Sequence, residues 1–176
     1  AEVTLGGVTD DIRINVKSTY NGVELMDLTV PDKLVIKTGS GEDEIKLEHV
    51  TVLGDCVIKT RGRDDNVEIH GFSDLWGGFH LRTGAGYDEI ELVDSRFRGV
   101  ADGRTAGGRD WLLSDGSTFD DDFFFHMGFG QDALLAQDTE AVVGGQANGG
   151  PGMDVFIDGG GNTGVDPTLT SFEILV

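Results

Sequence analysis

Six aspartates recur at nearly constant spacing, at Asp43, Asp65, Asp88, Asp110, Asp132 and Asp154, with steps of 22, 23, 22, 22 and 22 residues. Glycines stand four and two positions before four of them, as Gly39/Gly41, Gly84/Gly86, Gly128/Gly130 and Gly150/Gly152. Two chemistries suit this pattern. Carboxylates gathered in a column are hard oxygen ligands for a cation such as Ca²⁺. An aspartate in a glycine-rich turn also accepts hydrogen bonds from turn N–H groups and so builds a tight corner. Stacked carboxylates ~5 Å apart repel by ~1 kcal/mol per pair in water and ~3 kcal/mol at a surface-like dielectric, so a column of them needs compensation. Six positions before each aspartate stand Lys37, Lys59, Arg82, Arg104, His126 and Asn148. That basic series offers neutralisation without metal, and it weakens toward Asp132 and Asp154, where a bound ion is therefore expected.

Other reactive side chains carry less. His49, His70, His80 and His126 share no spacing, which argues against zinc. Cys56 is the only cysteine, so an internal disulfide is excluded, and it falls in an apolar column as a small core residue. No nucleophile-elbow signature is present. Glu68 and Glu91 near Lys46, with Lys59 and Arg82 on another strand, read as a solvated, salt-bridged face rather than a catalytic cluster. The 176 residues carry a formal net charge of −19, which argues against nucleic acid and anionic membranes as partners. No apolar run approaches the roughly 18 residues of a membrane helix, and the sequence shows no signal-peptide pattern.

The elements that must place the aspartates follow the same period. Two positions after each stands an apolar residue: Val23, Ile45, Val67, Ile90, Leu112, Leu134 and Phe156, the first counted from Asn21. Four after are Leu25, Leu47, Ile69 and Leu92, fading to Ser114, Ala136 and Asp158. Seven before are Ile14, Ile36, Ile58, Leu81 and Phe125, with Gly103 and Ala147 as exceptions. Apolar and charged columns alternate with a period of two, and β-branched residues are frequent, which is strand patterning. A short strand cannot bury one face alone, but stacked coils line a shared interior. The reading is all-β: a right-handed parallel β-helix of about seven coils, ~22 residues each, in one domain spanning 1–176. Residues 1–11 are assigned to an N-terminal cap and 159–176 to a C-terminal cap or edge segment, with the last eight residues out of register. A β-sandwich also uses many short strands, but it leaves a single register from end to end unexplained.

Gly149-Gly150-Pro151-Gly152-Met153-Asp154-Val155-Phe156-Ile157 resembles the GGxGxDxUx nonapeptide of RTX-type calcium-binding repeats. The segments from Gly39, Gly84 and Gly128 resemble partial versions. The resemblance implies Ca²⁺ between successive turns, held by carboxylates and backbone carbonyls, with the apolar residue after the aspartate pointing inward. This chain departs from the pattern in its period of about 22 rather than nine, and in Arg61 and Arg63 where glycines are expected.

The outward columns one and three after the aspartate are polar in early coils (Glu44, Lys46, Asn66, Glu68, Glu89, Glu91). They become apolar later, as Trp111, Leu113, Ala133, Leu135, Val155 and Ile157. Such a stripe on a charged rod is expected to be covered by the chain's own Phe172, Ile174 and Leu175, by a second copy or a neighbouring domain, or by a sugar stacked on Trp111. The expected role is that of a non-catalytic, extracellular structural or adhesive module. The alternative is a carbohydrate-active β-helix that binds or cleaves a polysaccharide.

Overall fold

The computed structural model describes residues 9–164, 168–172 and 174–175. Most of the expected cap at 1–11 therefore lies outside the described residues. The described chain is all-β, without a helix, and every strand pairing is parallel. It is a β-solenoid of about seven coils. One face stacks Ile12–Asn15, Leu34–Lys37, Cys56–Lys59, Phe79–Arg82, Ala101–Arg104, Phe123–His126, Gly145–Asn148 and Thr168–Thr170. The second face begins with Tyr20–Val30 and Glu42–Val52. From the third coil each rung is split in two, as in Asn66–His70 with Asp74–Leu75, or Trp111–Asp115 with Thr118–Phe119. Between the two faces lies the glycine-aspartate corner, where Ala85–Gly86, Gly107–Gly108 and Phe129–Gly130 pair as a short third sheet.

Alternation does the positioning. In Asn66–His70, Val67 and Ile69 are fully buried while Asn66, Glu68 and His70 are half-buried on the outside. One contiguous core runs from Ile12 to Phe156. In the later coils its aliphatic columns thin, and phenylalanines fill the space. Phe97 stacks on Phe119 with ring centres 4.9 Å apart, and Phe119 meets Phe123 and Phe125 at 5.2 and 5.9 Å. One of the two exceptions in the seventh-before column follows from this. A Cβ on Gly103 would stand 2.6 Å from the Phe125 ring, so glycine there makes room for the aromatic. A cavity of about 20 Å³ remains among Leu112, Ser114, Phe125, Leu134, Ala136 and Phe156.

The C-terminal segment corrects one expectation. Thr168–Thr170 pairs with Gly145–Asn148 in the 22-residue register, and Ile174–Leu175 pairs with Val155–Phe156 after a shorter step of 19. The segment therefore adds a further, shortened rung to both faces. Its described residues extend the sheet along its edge and do not fold back over the apolar stripe.

A second corner, six residues after each aspartate column position, was not anticipated. Asp27, His49, Gly71, Asp94, Gly116, Asp138 and Gly160 all have positive φ, between 46° and 86°. The single 23-residue step arises here. Glu48 pairs with His70 but Thr51 pairs with Asp74, so the extra residue lies at Gly71-Phe72, and the Phe72 ring is 78% exposed.

Candidate functional site

The six aspartates form one buried column, each no more than 2% exposed. Their side chains point the same way as the apolar residue two positions on, into the corner of the coil. The amide N–H of each of the first five donates to Oδ1 of the aspartate one coil later. Asp43 donates to Asp65 at 3.0 Å, Asp65 to Asp88 at 3.1 Å, Asp88 to Asp110 at 3.1 Å, Asp110 to Asp132 at 2.8 Å and Asp132 to Asp154 at 2.9 Å. Asn21 begins the column, its Nδ2 donating to Asp43 Oδ1. These hydrogen bonds join the turn of one coil to the turn of the next, and at Asp65 the Gly62 N–H within the same turn adds to them.

Glycine is required where the coils approach most closely. A Cβ on Gly130 would stand 1.6 Å from the Gly108 carbonyl oxygen, and one on Gly152 would stand 1.5 Å from that of Gly130. These contacts are backbone to backbone, so no rotamer change relieves them. In the third coil Arg63 takes this position with φ of 67°.

In five of the six carboxyls the second oxygen is left over. Oδ2 of Asp43, Asp65, Asp88, Asp110 and Asp132 is buried and accepts no hydrogen bond of ordinary geometry. Beside the column, five positions before the aspartates, lie buried Thr38, Thr60, Thr83 and Thr105, replaced by Met127 and Gly149 in the last two coils. Burial pushes the carboxyls up, Asp65 to about 6, Asp88 to about 7 and Asp132 to about 6, and it raises Asp110 as well. Neighbouring aspartates push Asp65, Asp88 and Asp132 further in the same direction, while the Thr60, Thr83 and Thr105 hydroxyls favour the charged forms of Asp65, Asp88 and Asp110.

The basic series does not neutralise this column as expected. Its side chains stand on the outside of the first face, and Arg104 and Arg82 pair with Asp102, at 2.9 and 3.8 Å. The corner inserts between that face and the buried carboxyls, so the sequence offset of six places the two columns on opposite sides of the wall.

The second corner holds a ladder that sequence reasoning missed. Val50 N–H donates to Ser73 Oγ, Ser95 N–H to Ser117 Oγ and Thr139 N–H to Asn162 Oδ1, at 3.1, 3.2 and 2.9 Å. The side chains also donate back to carbonyls: Ser117 Oγ to Leu92, Thr139 Oγ1 to Ser114 and Asn162 Nδ2 to Ala136. The available signal was the series Ser73, Ser95, Ser117, Thr139, Asn162, seven positions after the aspartates in three coils and eight at Ser73 and Asn162.

The interface residues lie together. Trp111, Leu113, Leu135 and Ile157 occupy three adjoining rungs of the second face, all half-buried. Elsewhere on the second face, beyond the second corner, Arg98 makes a two-pronged pair with Asp74 and stacks 4.3 Å over the Trp76 ring, whose Nε1 also donates to Asp74. No protein-family model, no curated protein and no solved structure matches this chain.

Proposed function

We propose that this solenoid is a non-catalytic structural or adhesive module of the extracellular space, with calcium held along its acidic corner. The observation that carries the reading is the row of buried carboxyl oxygens without a hydrogen-bond donor. A dry column of oxygen acceptors suits a hard cation, which takes carboxylate, hydroxyl and carbonyl oxygens and cancels the repulsion between neighbouring carboxylates. Asp43, Asp65, Asp88, Asp110 and Asp132 would hold it, with Asp154 continuing the column. The favoured positions are Asp132 and Asp154. Met127 stands in place of the threonine before Asp132, so that hydroxyl is missing there, and the GGxGxDxUx resemblance is complete at 149–157, around Asp154. Calcium in millimolar supply outside cells matches modules of modest affinity, roughly 10⁻⁴ to 10⁻³ M.

The test is isothermal titration of chelator-stripped protein with Ca²⁺, with thermal melts alongside. Saturable heat and a melt raised by several degrees support the reading, and Asp132→Asn should remove much of both. Absence of heat and of any shift at millimolar Ca²⁺ would sink it and leave the column purely architectural.

A second reading, polysaccharide binding, has one place in its favour. Trp76 is half exposed, with a hydrogen-bonded Asp74–Arg98 pair beside it, a combination of apolar ring and fixed polar groups that suits a sugar. Retention of wild type but not Trp76→Ala on an insoluble polysaccharide would support it.

A further inference from the structure

We propose that the apolar stripe of the later coils docks a cationic amphipathic protein segment, one whose apolar side chains are flanked by Lys or Arg. Two columns of the second face show the change of chemistry rung by rung. One runs Glu44, Asn66, Glu89, Trp111, Ala133, Val155, and the other Lys46, Glu68, Glu91, Leu113, Leu135, Ile157. From Asn66 and Glu68 onward every one of these residues is half-buried. The stripe thus keeps the solvent contact of its polar predecessors while losing their polarity. Nothing described lies over it, since Ile174–Leu175 joins the stack at the edge beside Val155–Phe156.

Charge selects the occupant. All 13 Lys and Arg residues lie between Arg13 and Arg109, and residues 110–176 contain 12 Asp and Glu with no Lys or Arg. Beside the stripe, Asp115 continues the Trp111 rung, and Asp138, Glu140 and Asp158 stand exposed toward the second corner. A second copy presenting the same face would bring two acidic rims together, a like-charge juxtaposition that opposes association. A segment with a basic rim on one side meets complementary charge along the second-corner edge of the apolar centre, and the field of the acidic half steers its approach. This surface is separate from the acidic corner, and the inference holds with or without calcium there.

The test uses a Trp76→Phe protein, which leaves Trp111 as the reporter of the two tryptophans. It is titrated in EDTA with a synthetic peptide of alternating Leu and Lys, and separately with a Leu/Glu peptide of equal length. The expected result is a saturable blue shift of Trp111 emission with the Leu/Lys peptide alone. Affinity should weaken about tenfold or more between low and high salt, as screening predicts. Leu135→Glu should bind about tenfold more weakly. Glutamate adds negative charge, so a purely electrostatic association would instead strengthen, and that result overturns the proposal. Leu135→Gln, checked for an unchanged β-type circular dichroism spectrum, gives the same reading without a new charge. No shift with Leu/Lys, or equal responses to both peptides, also overturns it. So does a concentration-dependent dimer in sedimentation that Leu135→Glu abolishes, which would assign the stripe to a second copy.

Discussion

At the second corner the amide of Ser95 donates to Ser117 Oγ, and that hydroxyl in turn donates a hydrogen bond to the carbonyl of Leu92. At the acidic corner the amide of Asp88 donates to Asp110 Oδ1, and there the run of donors stops. Both corners use the same inter-coil bond, an amide read by a side-chain oxygen one coil later. A hydroxyl or carboxamide accepts and donates, so it satisfies both coils while remaining neutral. A carboxylate only accepts, and it brings a buried charge that must be protonated or countered. Architecture alone is served by serine, threonine and asparagine. Aspartate in all six places adds a demand for a proton or a cation that the second corner does not make.

The sharpest contrast between the corners is steric. Gly130→Ala at the acidic corner forces a Cβ onto the Gly108 carbonyl and should cost about 4 kcal/mol or more in chemical denaturation. At the second corner Gly116→Asn meets only a flexible Asp94 side chain, and asparagine tolerates the φ of 61°, so a loss of about 1 kcal/mol is expected. Equal losses would show that the two corners are packed alike.

Next come the ladders themselves. Asp88→Ala leaves the Asp65 amide buried without an acceptor and should cost about 2–3 kcal/mol, and Ser117→Ala does the same to Ser95 at about 1–3 kcal/mol. Asp88→Asn keeps an acceptor and removes the charge. It should lie within about 1 kcal/mol of wild type in chelator. A large loss on Asp88→Asn would mean that the charge itself holds the corner together.

These ladders also mark how far the sequence could be read. The 22-residue period, the parallel coils, the inward columns and the clustering of the six aspartates were legible, because each depends on residue type at a fixed offset. The second corner was not, because its positive-φ column mixes Asp, His and Gly, three residues that tolerate one conformation for different reasons. The targets of the basic series were not legible either. Lys37 to Asn148 and the aspartates keep a fixed offset of six, yet the turn between them sends one column out and the other in. Nor did the spacing show that the C-terminal segment drops three residues and still pairs with its neighbours.

The smallest effect expected is on pH. Asp65, Asp88 and Asp132 are raised from 3.8 to about 6, 7 and 6, so between these values the folded chain binds protons more tightly than the unfolded one. Their contribution is fully present below about pH 4 and is lost as pH rises through about 6 to 7. In chelator the melting temperature should therefore fall by a few degrees between about pH 5 and pH 8, and less so in Asp88→Asn. Added Ca²⁺ should flatten the slope. A melt independent of pH in chelator would show that the column is already compensated.

Every bond of the acidic ladder points one way, from an amide to a side chain about 22 residues further along. During translation the acceptor for Asp43 is therefore made only when Asp65 emerges. At ~5–20 residues per second that is a wait of roughly one to four seconds for each coil. The newest coil on the ribosome always carries an unanswered amide at its corner, and the arrival of the next coil closes it. Synthesis from the N-terminus thus zips the solenoid one turn behind the growing end.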